Sequence, residues 1–203
     1  DANYNTLNAS DVSVTNSDDV TAGITVNPTA GFVTTEGGGT ATFTIVLDTV
    51  PAANVSVGLT STDTTEGTVA PASVTFSPAN ALTPVTVTVT GVNDQLDDGN
   101  VSYSIVTAAA TSGDATYNGL NPSDVGVTNT DDDTAGITVN PTAGLTTTEA
   151  GGTATFTIVL NTIPSGNVSV GLTSSDTTEG SPAPSSVTFS PANALTPVTV
   201  TLT

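Results

Sequence analysis

The chain has 203 residues, nineteen of them Asp or Glu and none Lys, Arg, His, Cys, Met or Trp, for a formal net charge of −19. With no imidazole or thiolate as base, nucleophile or soft-metal ligand, and no cationic side chain to hold phosphate, catalytic triads, zinc sites, phosphoryl transfer and nucleic-acid binding drop out. Carboxylates without an internal counter-ion repel anionic lipid and call for a cation, and hard oxygen ligands suit Ca2+ best.

Residues 1–90 return as residues 114–203 without an insertion, and about four positions in five are identical, so the chain is a tandem array with a 113-residue period. The chain opens on residues 1–20, which correspond to 114–133 and read as the end of a preceding repeat whose last strand is Asp11–Asn16. Residues 21–133 read as one complete repeat, and 134–203 as an incomplete second one carrying the first five strands. A chain framed in this way fits either an excerpt of a longer array, with Asp11–Asn16 lying unpaired at one tip, or subunits that complete one another by strand exchange, with Asp11–Asn16 finishing a sandwich of another copy.

Within 21–133 the apolar residues recur every second position, the period of a half-buried strand. Ile24 and Val26 form strand A; Ala41, Phe43, Ile45 and Leu47 strand B; Val55, Val57 and Leu59 strand C; Val74 and Phe76 strand D. Val85, Val87 and Val89 follow as E, Val101, Tyr103 and Ile105 as F, and Val125 with Val127 as G. Threonines take the opposite faces, where they suit strand propensity and cross-strand hydrogen bonding. Turn clusters at 37–39, 51–53, 64–67, 78–80 and 93–99 separate the strands, and no helical period occurs. Seven short antiparallel strands per repeat predict an all-β fold of tandem immunoglobulin-like β-sandwiches. Tyr103 falls where a tyrosine corner would sit, and Tyr117 with Leu120 is expected to pin the long stretch between F and G to the sandwich side.

Strand parity then sorts the acids. In an antiparallel sandwich the AB, CD and EF loops share one pole with the exit of G. That pole collects Glu36, Asp63, Glu66, Asp94, Asp97, Asp98, Asp131, Asp132 and Asp133, whereas the other holds Asp48, Asp114 and Asp124. Two carboxylates ~5 Å apart repel by roughly 3 kcal/mol at an effective dielectric of about 20, so this convergence calls for a bound cation. The expected calcium set is Glu36, Asp63, Asp94, Asp97, Asp98, Asp131, Asp132 and Asp133, with Asp18, Asp19 and Glu149 as the repeat equivalents of Asp131, Asp132 and Glu36.

Thr35-Glu36-Gly37-Gly38, the loop Val92-Asn93-Asp94-Gln95-Leu96-Asp97-Asp98-Gly99-Asn100 leading into Val101–Ile105, and the closing Val127-Thr128-Asn129-Thr130-Asp131-Asp132-Asp133 resemble a Calx-beta module over the whole repeat. The resemblance implies a calcium-binding sandwich of the kind found in exchangers, integrin tails and long arrays of large bacterial surface proteins. It also implies ligands at Glu36, Asp94, Asp97 and Asp131 to Asp133. The sequence departs from the family at Asn93 and Asn100, where acids are usual, and lacks the Asp-Tyr of the family's D strand.

The function expected from these features is structural and not enzymatic: a bacterial extracellular or cell-surface segment, an adhesin stalk or filament, stiffened by Ca2+ at its inter-repeat junctions. Its expected partners are neighbouring repeats or copies of itself, with no nucleic acid and no membrane insertion. The alternatives are a fibre subunit joined by strand complementation, or a carbohydrate- or protein-binding module; three Tyr and five Phe, mostly on inward rows, leave little for a sugar platform. Three Asn-Val-Ser sequons, at Asn54, Asn100 and Asn167, are of the frequency chance supplies in so Ser/Thr-rich a chain.

Overall fold

A computed structural model describes residues 1–203. The first repeat contains β1 (Ile24–Asn27), β2 (Phe32–Thr35), β3 (Thr40–Leu47), β4 (Val55–Ser61), β5 (Gly67–Ala70), β6 (Ser73–Phe76), β7 (Val85–Gly91), β8 (Val101–Thr107), β9 (Thr111–Ser112) and β10 (Val125–Thr130). They build two facing sheets, one in the order β1-β3-β7-β5 and the other β2-β10-β8-β4-β6, with β9 beside β4. The rows of alternate residues meet between the sheets: Phe43, Ile45, Leu47, Val55, Val57, Leu59, Val74, Phe76, Val87, Val89, Ile105, Val125 and Val127 are all buried in one cluster. This is an all-β, immunoglobulin-like sandwich.

Three details differ from the seven-strand reading, the smallest being the two-residue β9, which pairs with β4 from the stretch between F and G. Strand A is split between the sheets: β1 pairs antiparallel with β3, and β2 crosses over to pair parallel with β10. Pro28 has no N–H to extend the first ladder, and Gly31, at φ 84°, makes the turn that carries the chain across. A further difference is β5, whose Gly67–Ala70 segment, read as the end of a turn cluster and its sequel, pairs with Gly91–Thr88 of β7 at the edge of the first sheet.

The second repeat forms β11 (Ile137–Asn140), β12 (Ala154–Leu160), β13 (Val168–Gly171), β14 (Pro182–Ala183), β15 (Ser186–Phe189) and β16 (Val198–Leu202), arranged as a β11-β12-β16-β14 sheet over the pair β13-β15. Its smaller core comprises Ile158, Leu160, Val187, Phe189, Ala194 and Val200. No helix is present, and none of the sixteen strands contains an Asp or Glu.

Residues 1–20 form no strand, and Asp11–Asn16 lies unpaired, one of the two arrangements expected of it. Val12 and Val14 are 86 % and 84 % exposed, whereas their equivalents Val125 and Val127 are buried between β8 and β2. A strand requires a neighbour to take its N–H and C=O groups, and no such neighbour lies beside residues 11–16. Farther along, Tyr117 does pin the stretch between β8 and β10. Its hydroxyl donates to the Thr49 carbonyl at 2.7 Å and accepts the Thr49 N–H at 3.1 Å, with the ring buried and Leu120 packed alongside.

Phe76 is fully buried, so Phe76→Ala is expected to destabilise the first repeat by about 3–5 kcal/mol, while Thr42→Val on the outer face changes it by less than about 0.5 kcal/mol. Denaturant titration followed by tyrosine fluorescence checks this, because the two buried tyrosines, Tyr103 and Tyr117, lie in that repeat. Equal effects of the two substitutions would contradict the core assignment.

Candidate metal centre

The acid pole is built by two strands that run side by side. Parallel pairing of β2 with β10 sets Thr35 opposite Thr130, and the Glu36 N–H continues the ladder by donating to the Thr130 carbonyl at 3.1 Å. Glu36 and Asp131 therefore leave the sheet together. The second approach comes from β5 and β7, where the Val92 N–H donates to the Glu66 carbonyl at 3.0 Å and so brings the loop after β7 to Glu66.

Two carboxylate triads result, each with oxygens mutually within 4.8 Å: Glu36, Asp132 and Asp133 in one, Glu66, Asp94 and Asp98 in the other. Oxygens bound to one Ca2+ at 2.3–2.6 Å lie at most roughly 5 Å apart, so both triads have the right span. Glu36 is only 2 % exposed and Glu66 5 %. The Asp133 Oδ2 atom is buried without any hydrogen-bond partner. A buried carboxylate oxygen facing other carboxylates, in a chain with no cationic side chain, fits a hard divalent cation.

A polar network behind the triads fixes their inner members. The Asn129 amide accepts from Thr34 Oγ1 at 2.9 Å and donates to Glu66 Oε2 at 3.3 Å and the Val92 carbonyl at 3.1 Å. Thr34 in turn meets the Tyr103 hydroxyl at 3.2 Å. The Tyr103 hydroxyl thus bonds a side chain on β2 where a tyrosine corner would bond nearby backbone, and it fills the space beside Gly67, where a Cβ would come within 2.0 Å of it. Burial is the main reason the carboxyls of Glu36, Glu66, Asp98 and Asp133 are all pushed above their usual range, and neighbouring carboxylates add to it.

Of the residues expected from the sequence, Glu36, Asp94, Asp98, Asp132 and Asp133 fall in the triads. Asp131 serves as a fastener, accepting the Gly99 N–H at 2.7 Å and the Asp133 N–H at 2.8 Å. Asp97 reaches away, to the Ala135 N–H of the next repeat at 2.7 Å. Asp63 is not in a triad: its carboxylate turns back to accept both the N–H and the hydroxyl of Thr65, which hold it below its usual range. Glu66 takes the place expected of it. The Asn129 side chain that anchors Glu66 was the signal available, since Asn129 is buried at a strand position that otherwise belongs to the core row. Asp18, Asp19 and Glu149 join no triad and are exposed. Asp18 accepts only the Val20 N–H, and none of the three has a loop of the β7–β8 type beside it to supply companions.

Fold and site together describe a tandem, immunoglobulin-like β-sandwich protein with an acidic pole at the junction of its repeats. No protein-family model matches the chain, and neither does any curated protein. Among solved structures it is similar to the apo form of the Calx CBD1 domain, at 14 % identity over 54 % of this chain and 96 % of that one, with a TM-score of 0.42. It is also similar to the calcium-binding domain CBD12 of CALX1.1, at 16 % identity over 87 % of this chain and 74 % of that one, TM-score 0.43. A third likeness is to WR4, a member of the MSP family of C. elegans, at 14 % identity over 53 % and 95 %, TM-score 0.36.

The raised acids give the metal-free chain a distinct pH dependence. A carboxyl whose folded value lies above its unfolded one opposes folding when ionised, so stability rises as pH falls from neutrality toward the ordinary values of 4.5 for Glu and 3.8 for Asp. Asp63, Asp114 and Asp176 are held low by Thr65, Ala52 and Thr178, and their contribution is lost as pH drops below 3.8. Thermal unfolding in chelator is therefore expected to show a maximum on the acid side of neutrality, near pH 4 to 5. A midpoint that falls steadily from pH 7 downward would show that the triads are not under strain.

Proposed function

We propose that this chain is a structural tandem-repeat segment of an extracellular, cell-surface protein, an adhesin stalk or filament, in which Ca2+ at the junctions makes a rod of linked sandwiches. The observation that carries the reading is that the loops supplying the triads also hold the next repeat. Asp131 to Asp133 run directly into Thr134, and Asp97, in the same loop as Asp94 and Asp98, binds the Ala135 N–H. An ion among these acids ties the exit of one sandwich to the start of its successor.

Glu36, Asp132 and Asp133 would hold one ion, and Glu66, Asp94 and Asp98 a second. The ion supplies the positive charge that no side chain of this protein provides. Without it, carboxylate repulsion loosens the loops that join the repeats; with it, the same loops become a brace. Extracellular calcium is millimolar, which matches all-oxygen sites of modest affinity on an open pole.

Calcium titration of the full chain is expected to give dissociation constants of ~10⁻⁴ to 10⁻³ M. A hundredfold excess over that constant stabilises the fold by about 2.7 kcal/mol per site. X-ray scattering should show less bending between the repeats with Ca2+ than with chelator. Glu66→Gln is expected to weaken binding and Asp63→Asn to leave it unchanged, because only the first of these carboxylates reaches a triad. Absence of binding heat together with identical scattering in the two conditions would rule the proposal out.

A further inference from the structure

The junction contains a contact in which the acids play only part. The loop after β7 grips the second repeat at two backbone points: the Gln95 carbonyl accepts the Ile163 N–H at 2.7 Å, and the Asp97 carboxylate accepts the Ala135 N–H at 2.7 Å. Between these points Leu96 lies over a groove formed with Ile137, Leu160, Ile163 and Pro164. Ile163 is half-buried as a result.

The first repeat carries the equivalent residues, but there Tyr117 bonds Thr49, Leu120 packs on the core beside it and Pro51 is buried. What stays open is a shallower pocket around Ala22 and Val50, bordered by Asp18, Val20, Thr116 and Leu120. Ala22, Ile24, Leu47, Val50 and Pro51 are the counterparts, with Val50 standing for Ile163 and the other four identical. The Ala22 and Val50 N–H groups, equivalent to those of Ala135 and Ile163, donate to no backbone carbonyl, and Val50 is 57 % exposed. Asp48 replaces Asn161 at the rim, yet each accepts the equivalent threonine hydroxyl, Thr25 or Thr138, at 2.7 Å, so the rim keeps its shape.

We infer that the Ala22–Val50 surface is a docking site for a loop of the Asp94-Gln95-Leu96-Asp97 type carried by another repeat of this kind. The chain's own copy of that loop is engaged at Ile163, so the occupant is a second repeat's loop, arriving as the first repeat's loop arrives at the second. Its carbonyl meets the Val50 N–H, its acid meets the Ala22 N–H, and its leucine covers Val50. Such an interface is heterologous and head-to-tail, and it propagates as an open filament. It rests on the tandem-rod reading but does not require the metal.

The chain has no cysteine, so engineered disulfides can test this without background. The full chain is extended at its start by a further copy of residues 21–113, which continues the repeat register into residue 1. One variant carries Leu96→Cys in the added repeat and Val50→Cys; a second pairs Leu96→Cys with Ile163→Cys in the original chain. A third pairs Leu96→Cys of the added repeat with Val33→Cys, which is exposed on the sandwich flank. The same number of residues separates the first two pairs, so docking predicts equal crosslinking rates, with the Val33 pair about tenfold slower or more because only chance encounter joins it. Crosslinking at Ile163 but not at Val50, crosslinking at Val50 no faster than at Val33, or failure of both junction pairs would each overturn the inference. Repeating the series in calcium and in chelator separates the two proposals: equal rates in both conditions leave the docking intact and remove the calcium brace, whereas calcium binding without the Val50 crosslink does the reverse.

Discussion

Two neighbouring strands leaving one sheet in the same direction are the constraint on which the rest depends. In a sandwich of antiparallel strands, adjacent chains normally exit at opposite ends, and charge carried by their loops is kept apart. β2 and β10 run parallel, so whatever follows Thr35 and Thr130 must share the same space. Glu36 follows one and Asp131 to Asp133 the other, in a molecule with no cationic side chain to separate them. The repulsion is therefore built into the topology, and side-chain rotation at Glu36 cannot relieve it because that residue is almost wholly buried.

Behind the acids the sandwich core turns polar in a controlled way. Thr34, Asn129 and Tyr103 occupy rows that are otherwise Val, Ile or Phe, and they satisfy one another before the Asn129 amide reaches Glu66. A buried network of this kind is rigid when every member has a partner. One set of side chains accordingly closes the hydrophobic core and holds the Glu66 carboxylate at its end, so the position of Glu66 is coupled to folding of the sandwich.

Much of this was legible from alternation alone. The inward rows Phe43-Ile45-Leu47 and Val55-Val57-Leu59 announce their strands because a half-buried strand admits only one pattern, and parity placed most of the acids at one pole. The misreadings share a cause. Phe32–Thr35 was missed as a separate strand because its partner β10 lies some ninety residues away in the chain, and the short β5 was merged with its turn because its partner β7 supplies the ladder. Asp63 was preferred to Glu66 because the choice depends on Thr65 capturing the Asp63 carboxylate, a local turn that spacing does not reveal. The same dependence on neighbours shows at Asp11–Asn16, which repeats Asp124–Asn129 apart from one Ser-for-Gly replacement and, lying unpaired, forms no strand. Local pattern states what a segment is fit for; neighbours decide whether it happens.

The confinement of every carboxylate to loops shapes the protein's exterior as well as its joints. A strand as long as β3, eight residues at about 3.4 Å each, holds the two poles roughly 27 Å apart, so the middle of the sandwich lies some 13 Å from either. That exceeds the ~8 Å over which charge is felt in physiological salt. A chain of net charge −19 therefore presents a banded exterior, anionic collars alternating with neutral waists of threonine and serine hydroxyls. Its electrostatics acts along the axis, from collar to collar, while its flanks meet their surroundings as an uncharged, hydrated, alcohol-like surface.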